Sequence, residues 1–514
     1  MSSLSSDQLN AAREILRAGD ASPERVALRA RSEIESYDLS YGELAELVRG
    51  FAGALSTAGI VEEQRVLIAL PDVPELPIAF LGAIWAGTVP VLVNPALPAA
   101  DYEFYLADTR AKLMVTTDAL ARGLTGAAGR LPAIWTVAPR RGGDFWGALN
   151  STSERSAPFP SHPEDVAFWL YSSGTTGRPK GTLHLHESIL RVNASYGGEI
   201  LAISSDDVVY STSRMFFAYG LGNSLYMPLA AGATAVLSPE PFDPGRTWRH
   251  LAEERPTLFF AVPSVYRALL DSADAKPEGL SRARICVSAG EALPPAIFEE
   301  WRQRFGQEIL DGIGSTEMLH IYLSNRPGEC RPGTLGTAVP GYELSLVDED
   351  GRPVAGGEPG MMLVRGGSLA AGYWHRREAT ERAFRGEWYV SGDRGSCDAQ
   401  GVYRVLGRSD DMLKIAGQWV SPGEVEDVIH TVAGVRECGV VGVPGTSGLT
   451  ELVACVVTIA GATDVTEKIE RACVERLARH KRPTRIQFLE TLPRTATGKL
   501  QRFRLRETLG PRGG

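Results

Sequence analysis

The sequence predicts an α/β protein in two parts: a large N-terminal domain of parallel-rich α/β subdomains with a small β subdomain, followed by a small α+β C-terminal domain. Three observations predict it. Apolar runs of strand length lead repeatedly into a helix or into a loop rich in Gly, Ser, Thr or Pro, the way α/β sheets present ligands at strand ends. From about Tyr342 the pattern changes to short alternating strands separated by turn signals, DEDGRP and VAGGEPG. Beyond Arg408 it changes again, to a compact mixture of hairpins and helices. With 514 residues, the chain is longer than one hydrophobic core organises.

Taken in order, 65–70 (RVLIAL) reads as a strand, 75–86 as a helix and 89–93 as a second strand, together a βαβ unit. The same strand-then-loop pattern recurs at 166–171, 257–261, 285–288 and 308–310. A β subdomain is expected over about 342–409. The charged, turn-forming GRSDD at 407–411 marks a boundary, giving domains 1–409 and 410–514, the second with helices at 422–431 and 466–479. No internal repeat is evident.

Composition narrows the function classes. A formal charge of -9 argues against a phosphate-tracking surface, so nucleic acid is not an expected partner, although Arg479, Lys481 and Arg482 could hold one small anion. The first twenty residues carry no continuous apolar stretch, and no run of 18 apolar residues occurs anywhere, so neither a secretion signal nor a membrane span is expected. The six cysteines show neither CxxC pairs nor zinc spacing. They read as reduced thiols, and the cytoplasm is the expected location.

The stretch 171–181, YSSGTTGRPKG, gathers three glycines, four Ser/Thr hydroxyls and Lys180 at the end of an apolar strand. Glycines admit backbone N–H groups to phosphate oxygens, hydroxyls add donors, and the lysine adds charge, so a triphosphate fits. The spacing differs from a P-loop, because Pro179 precedes the lysine and Gly181 follows it. A Gly/Ser/Thr-rich stretch is by default only a flexible loop. This one resembles the signature loop of the adenylate-forming superfamily of acyl-CoA ligases, luciferases and adenylation domains. The resemblance implies that Ser172, Ser173, Gly174, Thr175, Thr176, Gly177 and Lys180 bind ATP, with Thr175, Thr176 and Lys180 at the β- and γ-phosphates.

Further motifs of that superfamily follow in its order. Gly290, Glu291 and Ala292 open GEALP, which resembles the segment lying against adenine. Asp311, Gly312 and Ile313 open DGIGSTE, which resembles the loop facing adenine and metal, with Thr316 at the α-phosphate and Glu317 helping to hold magnesium. A triphosphate needs its charge neutralised before a carboxylate attacks it, and one carboxylate suffices alongside phosphate oxygens and water. YVSGD resembles the ribose motif, with Asp393 on the ribose hydroxyls and Arg408 as a second ribose or phosphate contact. PRTATGK resembles the C-terminal motif whose lysine, here Lys499, enters the site during adenylation. By the same resemblance the C-terminal domain is mobile and Asp410 is its hinge.

MFFAYGLGN and IGSTEMLHIYLSN resemble the benzoate-CoA ligase branch. That resemblance implies an aryl pocket walled by Ala218, Tyr219, Gly314, His320 and Ile321, with Phe217 gating the carboxylate or thiol path. A flat ring suits an apolar slot with small residues along its faces, whereas an alkyl chain needs a tunnel. Benzoate, anthranilate and hydroxybenzoates all stay open. KIAGQWVSPGE resembles the loop facing the site during thioester formation, implying roles for Lys414, Gly417 and Trp419, although Ala416 stands where close benzoate ligases carry a second glycine. ATP, Mg2+ and coenzyme A are the implied cofactors and co-substrates. Two alternatives stand beside the ligase: an adenylating enzyme that loads a carrier-protein phosphopantetheine, and an inactive nucleotide-binding paralogue. A homodimer and a monomer both remain open.

Overall fold

A computed structural model describes residues 8–124, 131–152, 156–173, 179–408, 411, 413–415, 418–445, 450–494 and 500–509. Apolar residues dominate the strands Val208–Ser211, Thr234–Leu237, Leu258–Ala261 and Ile285–Ser288, and every residue in these four is buried. Burial on both faces is what parallel strands covered by helices require. With Val26–Arg31 and Ile309–Gly314 they form the parallel centre of a nine-stranded sheet, edged by antiparallel strands at both ends.

A second sheet has seven strands, and its parallel part contains Arg65–Ala69, Val89–Leu92, Leu113–Thr117, Ala133–Val137 and Val166–Ser173. The expected βαβ unit is present as Arg65–Ala69, helix Glu75–Trp85 and Val89–Leu92. That helix is buried along its whole length against Tyr41–Thr57. Gly82 permits the contact, since a Cβ there would meet Val48 O at 2.9 Å. Ser40 starts Tyr41–Thr57 with a capping box, its hydroxyl accepting from Glu43 N while the Glu43 carboxylate accepts from Ser40 N.

An antiparallel five-stranded sheet follows, from Tyr342–Val347 to Tyr403–Arg408. After it come the short hairpin Leu413–Ile415/Gln418–Val420 and a three-stranded sheet, Val435–Pro444, Thr450–Thr458 and Arg485–Phe488, covered by helices Pro422–His430 and Val465–Arg476. The boundary expected at 407–411 includes residues 409 and 410, which lie outside the described residues.

The strand expected at 166–171 is present as Val166–Ser173 and forms an antiparallel hairpin with Pro179–Leu185. One expectation needs correction. Ile309–Gly314 is twice the length expected of 308–310, because Asp311 continues in register with Ser288 and Gly312 with Ser324. The first half of DGIGSTE is therefore strand. Among the described residues no helix is long and apolar enough to cross a membrane.

Candidate active site

Parallel sheets expose ligand-binding groups just beyond the carboxyl ends of their strands. The same holds in this chain: Ser213, Val262, Gly290 and Ser315, each within two residues of a strand's end, line one cavity of about 1210 Å³, as do Val93 and Asn94 from the second sheet. Lys180 and Ser172 enter from the hairpin, and Asp393 and Arg408 from the antiparallel sheet. Phe217, Ala218, Tyr219, Gly314, Thr316, Glu317, His320 and Ile321 complete the predicted residues found there.

Register explains how Asp393 and Arg408 meet. They are cross-strand partners, and the Arg408 guanidinium donates to Ser391 O at 3.0 Å and to Asp393 Oδ1 at 3.4 Å. Gly392, at φ 74°, lies beneath that guanidinium, where a Cβ would come within 3.0 Å of it. The carboxylate is 11% exposed and faces a cavity that already carries Lys180.

Glu317 is buried and held by two phenols: Tyr373 donates to Oε1 at 2.7 Å and Tyr389 to Oε2 at 3.0 Å. Burial and the neighbouring carboxylate raise both phenols' pKa, so they act as donors throughout the physiological range. Lys180 Nζ stands 4.5 Å from the Tyr373 ring centroid, so cation and carboxylate share one tyrosine. Neither tyrosine was among the predicted site residues, although Tyr389 opens YVSGD itself; AAGYW, which contains Tyr373, carries no chemical signal of its own.

The turn after Ile309–Gly314 sets the direction of three side chains. Leu319 has φ 65°, and the turn is closed by Leu319 N to Thr316 O at 3.0 Å and Met318 N to Ser315 Oγ at 3.2 Å. Glu317 therefore points to the polar end, and His320 and Ile321 line the apolar part. At Gly314 a Cβ would overlap the His320 carbonyl, which makes glycine obligatory where the strand bulges.

Some predicted residues lie elsewhere. Asp311, Gly312, Ile313, Glu291 and Ala292 are not part of the cavity lining. Asp311 is buried in its strand, accepting from Leu293 N at 3.4 Å, and burial pushes its carboxyl well above the usual range. Glu291 pairs with Arg494 at 3.3 Å, and Arg494 also pairs with Glu437 at 2.9 Å. Ser173 closes its strand. Gly174, Thr175, Thr176, Gly177, Asp410, Gly417 and Lys499 lie outside the described residues, and of Lys414 and Trp419 the structure describes only their cross-strand pairing.

The sequence profile of the AMP-binding enzyme family matches residues 16–374, and that of the AMP-binding enzyme C-terminal domain matches 424–499. The chain belongs to the AMP-binding enzymes. It is 44% identical over 475 residues to the benzoate–CoA ligase of Thauera aromatica, covering 91% of this chain and 90% of the relative. A benzoate CoA ligase from Burkholderia xenovorans LB400 superposes with a TM-score of 0.89 at 41% identity, covering 97% of this chain and 99% of that one. An anthranilate CoA ligase, AuaEII, in complex with anthranoyl-AMP superposes with a TM-score of 0.91 at 34% identity, covering 98% and 97%.

In this AMP-binding enzyme the apolar part of the cavity carries a buried imidazole beside the Tyr219 phenol. His320 is 2% exposed, and its Nε2 forms a hydrogen bond with Asn223 Oδ1 at 3.1 Å. Tyr196, Tyr219 and Tyr226 surround the ring at centroid distances of 5.3, 5.7 and 6.4 Å. Burial lowers its pKa to about 3. The imidazole is therefore expected to stay neutral from about pH 8 to about pH 5 in a nitrogen-15 NMR titration. A midpoint for His320 inside that window would contradict the assignment.

Proposed function

We propose that the protein activates an aryl carboxylic acid, benzoate or a close analogue, with ATP and transfers the acyl group to coenzyme A. The observation that carries this reading is a single cavity in which phosphate-facing groups and an apolar slot meet at the Thr316–Ile321 turn. The relatives described above are benzoate–CoA and anthranilate–CoA ligases, which supports the same class of acid.

In the first step a carboxylate oxygen attacks the α-phosphorus and pyrophosphate leaves, giving an acyl adenylate. In the second the coenzyme A thiolate attacks the acyl carbon, AMP leaves, and the thiol proton passes to solvent. Asp393 and Arg408 bind the ribose, Lys180 with Thr175 and Thr176 the β- and γ-phosphates, and Thr316 the α-phosphate. Phe217, Ala218, Tyr219, Gly314, His320 and Ile321 hold the ring so that its carboxylate lies against the α-phosphorus, replacing a bimolecular encounter by a positioned one. Magnesium, when bound, neutralises phosphate charge. Glu317 fits it: the two phenols occupy one lone pair on each carboxylate oxygen and leave the others available.

A pyrophosphate-release screen with and without coenzyme A tests the reading. Benzoate-sized aryl acids are expected to give kcat/KM values well above those of acetate and palmitate. Because one methylene in an apolar pocket is worth only about 1–3 kcal/mol, near neighbours such as furoate should still react. Octanoate or palmitate exceeding every aryl acid would refute the pocket, and thioester formed only on a carrier protein would select that alternative.

Ala218, 9% exposed on the cavity wall, sets the slot width. Ala218→Leu overpacks it by an amount worth about 1–3 kcal/mol, so benzoate turnover should fall while ATP affinity holds. Unchanged benzoate kinetics would place Ala218 outside the slot.

Lys499 supplies the cation for charge developing as pyrophosphate leaves, and rotation about Asp410 then brings the 414–424 loop to the site. Losing one preorganised donor costs a factor of about 10²–10³, so Lys499→Ala should form benzoyl adenylate slowly yet convert preformed adenylate and coenzyme A to thioester at near wild-type rate. Equal loss of both half-reactions in a folded variant would sink the two-conformation assignment.

A further inference from the structure

The acid slot is built on a segment that neither sheet holds by its own ladder. Ser213 to Phe217 bridges the strand Val208–Ser211 and the helix Ala218–Leu221, and Phe217 and Ala218 at its end line the slot. Its geometry is fixed from both sides. Arg214 donates from its guanidinium to Ser238 O and Glu240 O, beyond the neighbouring strand of the nine-stranded sheet. From the other side, Met215 N donates to Asp72 Oδ1 at 3.1 Å, and Arg214 Nη1 lies 3.7 Å from Asp72 Oδ2.

Asp72 belongs to the other sheet. It follows the strand Arg65–Ala69, two turn residues before Glu75, and its side chain is only 4% exposed. Burial pushes its carboxyl up to about 6, against the pull of Arg214 and the Met215 N–H. A carboxylate kept at that depth is unfavourable unless something uses it. Its two partners are both residues of the slot segment.

We infer that Asp72 is the positioning residue of the acid slot: by holding Arg214 and the Met215 amide across the junction of the two sheets, it sets where Phe217 and Ala218 stand relative to the ATP-binding groups. This rests on the reading of the cavity as an acid- and ATP-binding site. Asp72 does not line the cavity and reaches it only through that segment. Gly220 supports the same geometry from behind, because a Cβ there would overlap the Arg214 carbonyl and push the segment away.

The test is a KM-against-kcat analysis of adenylation, varying acid and ATP separately, with whichever acid the wild type turns over fastest. Asp72→Ala is expected to raise KM for the acid about tenfold or more, the loss typical of a buried group deprived of its charged partner, while KM for ATP changes less than about twofold. Asp72→Asn retains an oxygen for Met215 N and should recover most of the acid KM. If Asp72→Ala does not fold, Gly220→Ala displaces the same segment and should show the same split. Parallel rises in both KM values, or an unchanged acid KM, would overturn the inference. A wild type that prefers an alkyl acid would instead overturn the substrate reading, and the KM split would still decide the role of Asp72.

Discussion

Leu319 is held in a left-handed conformation, φ 65°, at a cost of about 1–2 kcal/mol for a residue with a Cβ. The turn that imposes it is over-determined. Besides its own bonds, Ser368 Oγ donates to Met318 O at 2.7 Å and Ala370 N to Glu317 O at 2.9 Å, so the chain leading to Tyr373 clasps it from outside. Strain of this kind persists only where surrounding structure enforces it. Here it lets three residues within five positions, Glu317, His320 and Ile321, face different ends of one cavity: a carboxylate at the polar end, an imidazole and an isoleucine at the apolar one. Separate elements at the two ends would each have to be positioned independently; one turn fixes their distance.

The polar end shows how a buried carboxylate is kept usable. Two phenols donate to Glu317 without bringing charge of their own, whereas arginines in their place would have formed ion pairs with it. At the other end His320 contributes shape and an uncharged ring.

Motifs that act through their own backbone and adjacent side chains were legible in the sequence. Lys180, Thr316, Glu317, Asp393 and Arg408 all face one cavity, and the strand 285–288 was read to the residue. What stayed hidden depended on pairing between distant segments. No local feature says that Val166–Ser173 folds back on Pro179–Leu185, or that Asp311 is taken into a ladder beside Ser288. Tyr373 reaches Glu317 across 56 positions, and Asp72 reaches Met215 across 143. Their residue types alone, a tyrosine after glycine and an aspartate in a turn, announce nothing.

Arg494 is shared between Glu291 of the N-terminal part and Glu437 of the C-terminal part, with all three side chains between 22% and 32% exposed. Ion pairs so open to water contribute about 0–1 kcal/mol each and weaken as salt rises. Sharing changes what separation costs. If Glu291 lets go, Glu437 keeps the guanidinium paired, so no charge is stranded on the C-terminal side. The contact behaves as a detent rather than a lock: it favours the seating seen here without adding a large barrier to leaving it.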